Sequence, residues 1–77
     1  GTGNWVEGLV GKGARVAVID DVVTSGGSIV RAIEISREEG LEPVVAYALV
    51  DREEGGAASI EKTGVPFEPL FRYGELF

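Results

Sequence analysis

The chain has 77 residues, a formal net charge of −6, and neither cysteine nor histidine. That length bounds it to one small domain, and domains of this size bury only about 60–65% of the surface of their unfolded chain. Disulfide support and cysteine- or histidine-based metal sites are excluded, the acidic balance argues against a basic nucleic-acid binder, and no apolar run approaches the ~18 residues of a membrane span. The chain has no charged-then-apolar leader, so the reading is of a protein that is not secreted. The missing cysteines fit a reducing, cytoplasmic setting.

Residues Gly1 to Gly13 hold five glycines and read as a lead-in loop, with a short edge strand over Asn4–Glu7. Ala14 to Asp20 (ARVAVID) is a β-rich apolar run bounded by turn formers, which predicts a strand. Ser28 to Glu39 predicts a helix, because Ile29, Ala32, Ile33 and Ser36 share one face. Ser28 is placed to cap its start and Gly40 to end it. Pro43 then opens a second strand, Val44 to Asp51 (VVAYALVD). A short helix over Ala57–Lys62 ends at Gly64, a third strand covers Phe67–Arg72, and Gly74–Phe77 starts a further turn.

The order β-α-β-α-β predicts a parallel α/β sheet with right-handed crossovers. The first two strands are continuously apolar, the pattern of strands buried on both faces. Two successive crossover helices cover only one face, so missing sequence or a partner subunit must cover the other. The chain therefore reads as one partial domain over residues 1–77, with 1–13 as lead-in and 14–77 as α/β core. It is expected to be the C-terminal part of a larger domain.

Ligands of open α/β sheets bind beyond the carboxyl ends of the strands. The stretch VIDDVVTSGGS, Val18 to Ser28, lies there. Gly26 and Gly27 permit close backbone approach, and the hydroxyls of Thr24, Ser25 and Ser28 with a helix start favour a phosphate. It matches neither G-x-G-x-x-G nor the P-loop: at Gly11-Lys12, Val6 stands where the P-loop needs its first glycine and Gly13 where it needs Ser or Thr. Asp20 and Asp21 would repel phosphate, so they suit either sugar hydroxyls or a hydrated Mg²⁺. Their side chains should point to opposite faces and so be inequivalent. On residue types alone, a strand end followed by a capped turn remains open.

VAVIDDVVTSGGS resembles the phosphoribosyl-diphosphate (PRPP) signature of type I phosphoribosyltransferases. The resemblance implies that the chain forms part of a Rossmann-like parallel sheet. It implies that Asp20 and Asp21 take the ribose 2- and 3-hydroxyls, as the catalytic acidic pair. Val23, Thr24, Ser25, Gly26, Gly27 and Ser28 would cradle the 5-phosphate. It also implies Mg²⁺ as cofactor, reached by Asp20 and Asp21 through water rather than directly.

DREEGG, Asp51 to Gly56, follows the second strand and so shares the same rim. In isolation such a string reads as a solvated charged turn. Beside a PRPP loop it resembles the D-R-x-E-G-G element of orotate phosphoribosyltransferases, where the arginine meets the orotate carboxylate. That implies Arg52, a planar fork suited to carboxylates, and Thr24 as the orotate-binding residues. Purine-salvage relatives carry an aspartate where this chain has Thr24. Trp5 reads as a packing aromatic, and Lys12 and Arg15 as solvated loop charges.

The family's mobile loop and pyrophosphate-binding loop, which carry most of its positive charge, have no counterpart in these residues. The resemblance thus implies PRPP and orotate as ligands and a parent enzyme of pyrimidine biosynthesis, with no nucleic acid or membrane partner. It also implies a homodimer, or packing against a preceding segment, and little activity for this piece alone. A purine-type phosphoribosyltransferase and a non-catalytic PRPP-binding regulator are the competing readings. The regulator would need the acidic-pair loop but not Arg52.

Overall fold

β-branched and small apolar residues dominate two long segments of the chain, and both become strands. The computed structural model describes residues 5–8 and 14–76. The order is β1 (Trp5–Gly8), β2 (Arg15–Val23), α1 (Gly27–Glu38), β3 (Glu42–Asp51), α2 (Gly56–Glu61), β4 (Phe67–Arg72) and α3 (Tyr73–Leu76). The strands form one sheet in the order β1-β2-β3-β4. β2, β3 and β4 run parallel with α1 and α2 as crossovers, and β1 adds an antiparallel edge. This is an α/β fold with the expected β-α-β-α-β core. The edge strand falls one residue later than expected; Asn4 and Lys12 lie outside the described residues, as does the side-chain packing of Trp5.

The burial of α1 follows its sequence period. Ile29, Ala32, Ile33 and Ser36 are its buried residues, the stripe that a 3.6-residue repeat places on one face. Ser36 is polar, but its hydroxyl donates to the Ala32 carbonyl at 2.8 Å and so stays satisfied in the core. Gly40 adopts φ 80°, and the N–H groups of Gly40 and Leu41 donate to the carbonyls of Arg37 (3.1 Å) and Ser36 (2.9 Å). That pair of bonds is a Schellman stop, which requires a left-handed residue at the position glycine fills.

α1 and α2 pack on the same face of the sheet. Ile29 and Ile33 of α1 and Ile60 of α2 are fully buried against Val18 and Val23 of β2, Ala46 and Ala48 of β3, and Val65 and Phe67. Each such isoleucine contributes roughly 1.5–3 kcal/mol by leaving water. On the opposite face Tyr47, Leu49 and Leu70 remain exposed, at 42%, 50% and 68%. The chain's own helices thus leave one face of the sheet open. Among the described residues no helix is long and apolar enough to cross a membrane.

Four sequence expectations need correction. β2 does not end at Asp20 but runs to Val23, because β3 offers partners as far as Asp51 and Val22–Val23 continue the β-branched run. Arg15, paired with Glu42 at the start of β2, is an exposed strand residue rather than a loop charge. Ser28 does not cap α1: the N-cap is Gly26 at φ 86°, with no side-chain cap, so Ser28 falls inside the first turn. β3 also begins earlier, at Glu42, with Pro43 inside it opposite Val16, where the β2–β3 register shifts. A proline has no N–H to give a ladder, and irregular sites are where strands tolerate it.

Candidate functional site

The register brings three strand ends level. Val23 of β2 pairs with Asp51 of β3, and Asp51 pairs with Arg72 of β4. The loops that leave these positions therefore share the carboxyl rim, where open α/β sheets bind ligands.

After Val23 the chain turns through Thr24, Ser25 and Gly26 into α1. Asp20, Val23, Thr24, Ser25, Gly26, Gly27 and Ser28 line one open cleft there, together with Val22 and Ile29. Its empty volume is ≈ 240 Å³, counting the open mouth. The first turn of α1 forms part of the wall and carries no Asp or Glu, so no acidic side chain of the helix itself offsets the positive end of its dipole beside the cleft. Small polar residues, glycines and a helix start in one concavity suit a phosphate group.

Of the sequence-predicted cradle and acidic pair, only Asp21 does not line this cleft. The two aspartates are inequivalent, as strand alternation requires. Asp20 is buried at 5% exposure on the helix side of β2, and Asp21 is exposed. Asp20 Oδ1 accepts the N–H of Asp21 at 2.8 Å, and Asp21 Oδ1 accepts the N–H of Val22 at 2.8 Å. Burial, then a side-chain hydrogen bond with Asp21, pushes the Asp20 carboxyl above the ordinary carboxylate range. The same bond with Asp20, then the Val22 N–H, holds Asp21 below it. The pair titrates as a unit, with its proton placed preferentially on Asp20.

The D-R-E-E-G-G loop is joined to this structure through the backbone. Arg52 N–H donates to the Val23 carbonyl at 2.9 Å, which ties the start of one loop to the start of the other. Asp51, buried at 3% exposure, accepts the N–H of Glu53 at 2.9 Å and so turns the chain sharply. Glu53 takes a left-handed conformation at φ 59°, and its Oε1 accepts the N–H of Gly74 at 2.7 Å. Arg52 Nε lies 3.3 Å from Glu54 Oε2, and its guanidinium carbon lies 5.2 Å from the centre of the Tyr73 ring. The Arg52–Glu54 pair is about half exposed on both sides, so its own stabilisation is small.

The two loops also touch glycine to glycine. A β-carbon on Gly26 would stand 2.9 Å from the Gly56 carbonyl oxygen. One on Gly56 would overlap the Val23 side chain and stand 2.7 Å from the Thr24 carbonyl oxygen. The sequence alone gives no role to Asp51, Glu53 or Tyr73 and no sign of the close approach at Gly56. The Asp-x-Glu string after a strand carries an Asx-turn signal that could have found Asp51. Tyr73 is 21 residues from Arg52 and carries no local signal.

A parallel α/β sheet with a small-residue loop and a helix start at its carboxyl rim is an architecture whose geometry suits a phosphate-bearing ligand. The chain belongs to the phosphoribosyl transferase domain family, whose sequence model matches residues 7–68. It is 52% identical over 71 residues to orotate phosphoribosyltransferase of Aquifex aeolicus, covering 92% of this chain and 39% of that protein. It is 49% identical over 77 residues to the Pyrococcus horikoshii orotate phosphoribosyltransferase, covering 100% of this chain and 41% of that one. Among solved structures, orotate phosphoribosyltransferase of Mycobacterium tuberculosis in complex with PRPP superposes with a TM-score of 0.82 at 32% identity, over 92% of this chain and 43% of that one. The chain thus spans about 40% of the length of the curated relatives it matches, 39% and 41% for these two.

Proposed function

We propose that this chain is the ribose-phosphate- and base-binding part of an orotate phosphoribosyltransferase. The whole enzyme joins orotate to PRPP and releases pyrophosphate, a step of pyrimidine nucleotide synthesis. The observation that carries the proposal is the union of the two motif loops at one rim, made by the 2.9 Å bond from Arg52 N–H to the Val23 carbonyl.

On this reading the loop Val23–Ser28 cradles the 5-phosphate, Asp20 and Asp21 take the ribose hydroxyls, and Arg52 with Thr24 receives orotate. The orotate ring nitrogen forms a bond to the anomeric carbon as the bond to pyrophosphate oxygen breaks. The departing pyrophosphate keeps the electron pair, and the ring N–H proton passes to solvent. Positioning and charge stabilisation supply most of the acceleration.

Mg²⁺ fits this donor set as a water-mediated ion. Asp20 and Asp21 are adjacent carboxylates, the kind of donor that holds a hydrated Mg²⁺ through its waters. When bound, the ion neutralises pyrophosphate charge. The exposed sheet face around Tyr47, Leu49 and Leu70 would pack against the preceding part of a full-length chain or a second subunit, and the enzyme would work in the cytoplasm. Arg52 and Thr24 favour orotate over a purine, since purines carry no carboxylate. In a full-length protein carrying this segment, pyrophosphate should be released from PRPP on adding orotate and not on adding hypoxanthine or adenine. Release with a purine and none with orotate would overturn the assignment.

A further inference from the structure

Arg52 needs a fixed direction if it is to meet a carboxylate with both prongs of its guanidinium. A side chain that is about half exposed on a surface turn is free to swing unless something holds it. The structure supplies a holder in the turn that follows β4. One residue past the level pair Asp51–Arg72 come Arg52 on one strand end and Tyr73 on the other. The guanidinium carbon of Arg52 lies 5.2 Å from the centre of the Tyr73 ring, within cation–π range. Next to it, Gly74 N–H donates to Glu53 Oε1 at 2.7 Å. Glu53 is itself set in a left-handed conformation and fixed by the buried Asp51 carboxylate. A β-carbon at position 74 would stand 2.9 Å from that Glu53 oxygen, so glycine lets the carboxylate come close. The Arg52 loop is therefore held through a side chain and through the backbone by the same two-residue turn.

We propose that Tyr73 is a positioning residue for base recognition: its ring fixes the plane of the Arg52 guanidinium, and the Gly74–Glu53 bond holds the ring at that place. The proposal rests on the reading that Arg52 receives the orotate carboxylate. It adds a residue of β4's exit turn, outside both sequence motifs, to the determinants of base affinity.

The test uses a full-length enzyme carrying this segment, with Tyr73→Leu, Tyr73→Phe and Arg52→Ala compared for kcat, for KM toward orotate and PRPP, and for melting temperature. Tyr73→Leu should raise the orotate KM about two- to fivefold, the range of an exposed cation–π contact. The PRPP KM and the melting temperature should stay unchanged. Tyr73→Phe, which keeps the ring face, should restore most of the orotate affinity. An unchanged orotate KM in Tyr73→Leu, an equal rise for PRPP, or a Tyr73→Phe as impaired as Tyr73→Leu would overturn the proposal. A second readout separates it from the orotate assignment. The ¹⁵N relaxation of Arg52 Nε should report a restricted side chain in the wild type and in Tyr73→Phe, and a mobile one in Tyr73→Leu. If Arg52→Ala leaves the orotate KM unchanged while the relaxation behaves as stated, the clamp stands and the orotate assignment falls. Equal Nε mobility in all three proteins overturns the clamp itself.

Discussion

Gly56→Ala probes the contact on which the union of the two loops depends. The added β-carbon would overlap the Val23 side chain, stand 2.7 Å from the Thr24 carbonyl oxygen and 3.2 Å from the Gly26 nitrogen. The Val23 rotamer could relieve the first overlap, but the other two obstacles are backbone atoms of the β2–α1 loop. Either that loop or the start of α2 must move. Overpacking of this kind costs about 1–3 kcal/mol. Alanine at this helix start returns about 0.4–1 kcal/mol by restricting the unfolded chain. The net loss is near 1–2 kcal/mol, or about 2–8 °C in Tm for a domain of 150–250 residues. Calorimetric melting of the full-length protein, with and without ribose 5-phosphate, measures both stability and the integrity of the cradle. The ligand-induced rise in Tm should also shrink, because the displaced atoms belong to the loop. Gly27→Ala is the internal control. Its nearest new contact is Ser25 Oγ at 3.7 Å and it has no positive φ, so it should melt at or above the wild-type temperature. An unchanged Tm and ligand response in Gly56→Ala, or equal losses in the two variants, would refute the packing argument.

Two further outcomes follow from the core and the acidic pair. Ile60 is fully buried and anchors α2, so Ile60→Ala should cost about 2–5 kcal/mol in denaturant melting, with the spread set by how far the site collapses. Asp20→Asn should stabilise the fold while impairing binding of ribose phosphate. A folded pKa above the unfolded value means that the charged form of Asp20 costs stability. That cost is absent below the ordinary Asp pKa, grows as pH rises to the folded pKa, and is constant above it. The gain from Asp20→Asn should therefore be full above the folded pKa of Asp20 and vanish below the ordinary value. A gain of the opposite pH sense would show that Asp20 is not the protonated partner.

The sequence carried those parts of the fold that depend on local pattern. The buried stripe of α1, Ile29-Ala32-Ile33-Ser36, matches the residues read from periodicity, and β4 spans the Phe67–Arg72 expected after Pro66. The end of β2 was misplaced because it is decided by a partner strand 28 residues away, not by the aspartates themselves. The cap of α1 was misassigned because Gly26, at φ 86°, starts the helix two residues before Ser28. At the site, the shared rim of the β2–α1 loop and of Arg52 was legible because each motif is contiguous and follows a strand. The contacts that join them were not. Gly26 against Gly56 and Arg52 against Tyr73 are pairings between loops, and the geometry that makes them exists only once three strand ends are brought level.

The central claim is that one rim binds ribose phosphate through the β2–α1 loop and the orotate carboxylate through Arg52. Steady-state kinetics of Arg52→Ala in a full-length enzyme carrying this segment tests it most directly. A lost charge-assisted contact is worth about 1.5–3 kcal/mol, or roughly 10- to 150-fold. The account predicts a rise of that size in the orotate KM, with the PRPP KM changed less than twofold. An equal rise for both substrates, or an unchanged orotate KM, would contradict it.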